Sequence, residues 1–248
     1  MTGPTPLRIA HGYGNSRRWV QAALRGPVDM IEADLWYRGG TIWVRHERRL
    51  PLLPILYGSR PGGGIHPPPC SLPLARWHLR LDVRPLPLEQ LIEAVGGRRP
   101  LLLDLKGPCT AAAGQQFVAK LAGCLRRFGL GPSTRLCGNW PLLDEIRRIE
   151  PALKVHYSIG NRAQCRATLL RLAEGDRIGA VSIHRSLLDE DRARFLQDRG
   201  IEVYCWPVDD AAEAGRLMAL GVQGIISYDL SLLASLPVPT GAQRLQPL

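Results

Sequence analysis

From Leu88 to Ser227 the chain repeats one pattern, a helix-length amphipathic stretch followed by a short run of apolar residues. Helices over 88–95, 111–128, 141–149, 162–173, 188–199 and 210–220 each precede a strand, at 101–106, 135–138, 154–159, 178–184, 201–206 and 224–227. Two further strands, 7–10 and 28–35, flank a helix that Ser16 can cap and that runs through Leu24. Strands alternating with helices specify parallel βαβ units. Eight such strands favour a closed α/β architecture, the (β/α)8 TIM barrel, over an open doubly wound sheet. No strand is followed by GxGxxG or GxxxxGK[ST], which argues against nucleotide binding in the open-sheet manner.

Two segments break the alternation. Thr41-Ile42-Trp43-Val44 follows the turn Arg38-Gly39-Gly40 too closely for a parallel crossover, so it returns antiparallel. A turn centred on Gly39 places His46 opposite Glu32. Residues 48–86 carry Pro51, Pro54, Pro61, Pro67, Pro68, Pro69 and Pro73 with Gly62-Gly63-Gly64, and over most of this stretch no regular element is expected. Its ends lie beside the strands just described, so it reads as an irregular Pro/Gly-rich insertion at the C-terminal rim of a single domain, 1–248. His66 and His78 within it read as solvated loop residues.

The site is read from Val28-Asp29-Met30-Ile31-Glu32-Ala33-Asp34-Leu35, where acidic side chains interrupt a buried strand. Glu32 and Asp34 point the same way, because side chains alternate faces with period two. Two adjacent carboxylates repel and lose hydration, so a divalent cation, a nearby basic group or a shared proton must compensate them. Barrel sites lie at the strand C-terminal ends. There stand His11, Glu32, Asp34, Asp104 and Lys106, with His46 on the return strand and Asn139, His156, His184, Trp206 and Asp209 on later strands. Glu32, Asp34 and Asp104 are hard oxygen donors suited to Mg2+ or Ca2+. His11 and His46 can exchange the roles of general base and general acid. A cation, a lysine and two histidines are equipment for displacement at phosphorus. Trp206 offers an apolar wall, and Asn15 either holds the Gly-rich turn or reaches substrate. His156 and His184 read as satisfied rim residues.

These residues resemble one family, the glycerophosphodiester phosphodiesterases. The resemblance rests on Ile9-Ala10-His11-Gly12 with Asn15-Ser16, Ile31-Glu32-Ala33-Asp34, Val44-Arg45-His46-Glu47, Pro87-Leu88-Glu89-Gln90-Leu91 and Leu103-Asp104-Leu105-Lys106. It closes with Val203 to Asp210 and Gly221 to Ser227. It implies hydrolysis of a glycerophosphodiester to glycerol 3-phosphate and an alcohol, or a lysophospholipase D-type reaction. It also implies Mg2+ or Ca2+ on Glu32, Asp34 and Asp104, an acid/base pair in His11 and His46, and a phosphate contact from Lys106. Three positions depart from the family pattern: Gly12 stands where it usually has Arg, Asp104 where it has Glu, and Glu47 where it has Asp. Arg8, Arg17, Arg45 and Arg60 are the candidates to replace the missing arginine. A competing reading is a catalytically weak barrel that binds phospholipid head groups.

The net charge is +10, and all but three of the 32 basic residues are Arg, scattered in doublets. Scatter of this kind suits anionic small molecules or anionic lipid, not a nucleic acid, which asks for a contiguous basic face. The expected partner is a small-molecule phosphodiester or lysophospholipid. Six cysteines show no metal-type spacing, and Cys124, Cys137 and Cys205 sit in apolar runs as reduced thiols. No apolar run is long enough to span a membrane, and the first residues have no charged-then-apolar export pattern, so a cytoplasmic location is expected.

Overall fold

The computed structural model describes residues 5–50, 53, 55–59, 71–74, 77–81, 84–107 and 110–238. Arg60, His66, Cys70, Cys109 and the Gly62–Gly64 run lie outside the described residues.

The chain enters in β1 (Leu7–Ala10), passes α1 (Arg17–Arg25) and continues in β2 (Met30–Arg38) and β3 (Thr41–Val44). Short strands follow: β4 (Arg48–Arg49), β5 (Leu56–Ser59), β6 (Ser71–Leu74), β7 (Trp77–Arg80) and β8 (Leu86–Pro87). The alternation then runs α2 (Leu88–Val95), β9 (Leu101–Leu105), α3 (Ala111–Arg127), β10 (Arg135–Gly138), α4 (Trp140–Ile149), β11 (Lys154–Ile159) and α5 (Arg162–Ala173). It ends with β12 (Ala180–His184), α6 (Glu190–Gln197), β13 (Glu202–Trp206), α7 (Ala211–Ala219), β14 (Gly224–Ser227) and α8 (Leu230–Ser235). Parallel pairing runs β1-β14-β13-β12-β11-β10-β9-β2, and β2 pairs back onto β1 through Ile9–Met30 and Ala10–Ile31. The (β/α)8 barrel expected from the alternation is therefore closed.

Local chemistry sets the strand-to-helix turns. Thr110, Asn139, Asn161, Asp189, Asp210 and Asp229 each accept a hydrogen bond from a backbone N–H in the first turn of the helix they precede. Such caps satisfy donors that a helix start leaves without partners. One core lies between barrel and helices; a smaller one, of Leu7, Ile9, Met30, Leu102, Cys137, Tyr204 and Ile226, fills the barrel interior. Among the described residues no helix is long and apolar enough to cross a membrane.

Four details differ from the sequence reading. The hairpin turns on the two residues Gly39-Gly40, so Arg38 pairs with Thr41 and Leu35 with Val44, one residue out from the expected register. Arg45, not His46, then faces β2, its N–H donating to the Asp34 carbonyl (2.9 Å). Among the described residues of the insertion, β4, β5, β7 and β6 form a small antiparallel sheet that the sequence reading did not place. Pro73 is accommodated because β6 is an edge strand, where a missing N–H is tolerated. His78, expected to be solvated, is buried on β7. His156 lies inside the barrel and not at its rim, fully buried with its ring 4.2 Å from that of Tyr204.

Burial pushes the His156 pKa down to about 4, against the pull of Glu202 and with a further push from Arg135. A base whose folded pKa is depressed binds protons more readily unfolded, so stability is full above the unfolded value near 6.5 and falls as pH drops toward 4. Urea unfolding at pH 7 and pH 4.5 checks this. His156→Leu is expected to reduce the loss between those pH values by about 2–3 kcal/mol relative to wild type.

Candidate active site

The mouth of the barrel gathers acid from two neighbouring strands. Asp34 on β2 and Asp104 on β9 are paired in register, and Glu32 lies two residues below Asp34 on the same face. One oxygen from each of these three carboxylates lies within 4.8 Å of the others. Glu32 and Asp34 are buried, and Asp104 is partly so.

One lysine answers them. The Lys106 ammonium sits 2.8 Å from Asp34 Oδ1 and also pairs with Asp104 Oδ2. Burial alone would lower its pKa, but Asp34, Asp104 and Glu32 together hold it well above the ordinary lysine range. Burial raises the Glu32 carboxyl well above its usual value, with the Asp34 and Asp104 charges adding to the rise. Asp104 is also raised by burial, Lys106 opposing. Burial would lift Asp34 too, but Lys106, His46 and a hydrogen bond from Asn15 bring it below the carboxylate norm. Three acids sharing one ammonium remain short of positive charge, and Asp104 Oδ1 is buried without a hydrogen-bond partner. The donor set fits a hard divalent cation.

Two close approaches make this arrangement possible. Gly138 ends β10 at φ +111°, and a Cβ there would meet Asp104 Oδ1 at 2.3 Å and the Leu105 carbonyl at 2.4 Å. Only glycine leaves that carboxylate its place. Gly12 takes the left-handed φ of +70° and donates its N–H to Glu32 Oε2. The position where the resemblance leads one to expect Arg thus holds a carboxylate through its backbone.

Asn15 is buried and clamps β2 from both sides, its Nδ2 donating to Asp34 Oδ2 (2.6 Å) and its Oδ1 accepting from the Asp34 N–H (2.9 Å). Both its amide atoms face Asp34, so its contacts are those of a support for the carboxylate. His11 follows β1, its N–H donating to the Ser227 carbonyl (2.8 Å) and its ring stacked on Tyr228 at 3.9 Å between centroids. Burial drives its pKa down to about 3, against the Asp34 charge, so the imidazole is neutral. His46 is exposed at a bend just past β3, and its charge is felt at His11, Asp34 and Asp104. The paired register of β2 and β3 ends at Val44, so His46 lies beyond it, on the bend.

Trp206 stands three strands round the barrel from β2, edge-on to His184 (5.3 Å) and packed against the interior core, as a wall residue. His184 hydrogen-bonds Ser186 (2.8 Å), and Asn139 caps α4. Asp209 accepts from the Ser227 hydroxyl (2.8 Å) and the Tyr228 N–H (3.0 Å), fixing the residue that stacks on His11. Tyr228 was missed, although it directly follows β14 and the rule that located Trp206 applies to it as well. Of the candidate replacements for the arginine, Arg8 is bound to Asp29, Arg17 to Gln90, and Arg45 is buried beside the Trp36 ring (5.9 Å). Glu47 is turned away from the carboxylates, onto Arg80 of β7.

No family model matches the chain. A curated glycerophosphodiester phosphodiesterase of Arabidopsis thaliana is 38% identical over 97 residues, 38% of this chain and 29% of that protein. Solved structures match over far more. A glycerophosphodiester phosphodiesterase from Parabacteroides distasonis superposes with a TM-score of 0.70 at 19% identity, covering 93% of this chain and 96% of its own. An Oleispira antarctica phosphodiesterase, determined with its product sn-glycerol-3-phosphate, gives 0.67 at 18% identity, over 92% and 95%. The chain is thus similar in sequence over one segment to a curated glycerophosphodiester phosphodiesterase, and in fold over nearly its whole length to solved structures that bear that name.

Proposed function

We propose that this chain, read as one domain with residues 48–86 as its rim insertion, hydrolyses a glycerophosphodiester to glycerol 3-phosphate and an alcohol. The observation that carries this reading is the convergence of Glu32, Asp34 and Asp104 with one lysine and His11 at the barrel mouth. Glu32, Asp34 and Asp104 are the residues that would hold a divalent cation, Mg2+ or Ca2+. When bound, such an ion neutralises charge on the phosphoryl oxygens. Lys106, already between Asp34 and Asp104, is placed to contact the phosphate. His11, kept neutral by burial, accepts the proton of the glycerol hydroxyl that attacks phosphorus, while His46, at the exposed bend, delivers one to the departing alcohol oxygen; water then opens the resulting cyclic phosphate to glycerol 3-phosphate with the two roles exchanged. Tyr228 holds the His11 ring in plane. A cytoplasmic location is supported by Cys124, Cys137, Cys165 and Cys205, which among the described residues are buried free thiols.

Hydrolysis of glycerophosphocholine is expected to cease with EDTA and to return with Mg2+ or Ca2+. His11→Ala and His46→Ala should each lower kcat by about 10²–10⁴. Metal binding with no turnover of any glycerophosphodiester or lysophospholipid would instead favour a head-group-binding barrel. Either cation should raise the melting temperature of the wild type, and less so that of Asp104→Asn, since a ligand stabilises the state that binds it. For Tyr228, a Leu replacement should reduce kcat about tenfold with KM little changed. Tyr228→Phe, which keeps the stacked ring, should restore it; equal loss in both variants argues against a positioning role.

A further inference from the structure

The small sheet on the insertion presents unlike faces. Directly opposed residues share a face, and successive residues alternate. Leu56, His78 and Arg80 are buried on the inner face, where Arg80 pairs with Glu47 and lies over the Trp19 ring (5.5 Å). The outer face carries Arg48, Tyr57, Leu79, Leu72, Trp77 and Leu74. A sheet with one face packed normally turns polar residues outward. Here five of the outward positions, Tyr57, Leu72, Leu74, Trp77 and Leu79, are apolar, with Arg48 at one end and Ser59 at the other. Leu72 and Leu74 are 55% and 56% exposed. Of the six large apolar side chains exposed among the described residues, four lie in this segment: these two with Leu53 and Leu81.

We propose that this outer face docks the protein on an anionic lipid surface. Charge complementarity chooses the occupant. Arg48 is exposed at the margin of the apolar face, its neighbour Arg49 is exposed on the other side of β4, and the chain as a whole carries +10. Leucines enter the boundary between head groups and acyl chains, Tyr and Trp rings settle at head-group level, and arginines meet lipid phosphate. Tyr57 and Trp77 stand edge to face at 5.5 Å, a fixed aromatic pair with leucines beside it. The sheet follows directly on His46-Glu47, so docking brings the barrel mouth toward the lipid. This inference does not require the proposed hydrolysis.

Flotation of the full chain with phosphatidylcholine vesicles, with and without roughly a third of phosphatidylserine, tests it. Wild type is expected to float with the anionic vesicles and to release as salt rises. Leu72→Glu with Leu74→Glu should lower partitioning about tenfold or more, and Arg48→Glu about fivefold. Hydrolysis of soluble glycerophosphocholine should be the same in wild type and these variants. Circular dichroism and melting temperature monitor folding; if the double variant unfolds, Leu74→Ser with Arg48→Gln gives the same reading. Equal flotation of wild type and folded variants overturns the proposal, as does equal binding to neutral and anionic vesicles. Failure of wild type to float, with sedimentation showing a dimer that the leucine substitutions dissolve, overturns it in favour of a second copy of the chain.

Discussion

Three carboxylates share a single ammonium at the mouth of this barrel, and much of the surrounding chain serves to make that crowding stable. Buried like charges repel strongly in a medium of low dielectric, and each uncompensated acid shifts toward its neutral form. Lys106 satisfies Asp34 and part of Asp104, and Asn15 and the Gly12 backbone support Asp34 and Glu32. What remains is negative charge on rigid strands, arranged before any ligand arrives. Rigid placement of this kind lets a site bind a cation without paying to order its own ligands.

The barrel was readable because its signal is periodic and local. Helix-length amphipathic stretches and apolar runs such as Leu101-Leu102-Leu103 mark each unit without reference to any other. The acidic cluster was readable for a related reason, since alternation on β2 places Glu32 and Asp34 on one face, and β9 is the next parallel neighbour of β2. Contacts that depend on turns were harder to foresee. The Gly39-Gly40 turn moved the hairpin register by one residue, and His46 lies on a bend beyond the last paired residue, Val44. His156 was misplaced because a histidine in an apolar strand gives no indication of depth along the barrel axis. Tyr228 stacks on His11 across a gap of more than two hundred residues, a relation fixed by closure of the barrel and invisible to local pattern.

The sequence departures also gain a physical account. Glycine at position 12 accompanies a left-handed backbone and a Tyr228 ring 3.5 Å from where a Cβ would stand. A longer side chain there would strain the backbone and crowd the ring that stacks on His11. Asp104, shorter than Glu, fits a strand end where the neighbouring strand must itself be reduced to Gly138. The two substitutions are parts of one tight packing solution around the carboxylates.

Glu47 sits next to His46 in the chain, yet its carboxylate is buried against Arg80 on the far side of the insertion. The same two-residue bend therefore faces two ways, one side chain toward the barrel mouth and the other into the sheet. Moving β7 away from that point would expose a buried ion pair and drag on the neighbouring imidazole. The Glu47–Arg80 pair thus anchors β7 to the bend, and its hold there sets how much freedom His46 keeps.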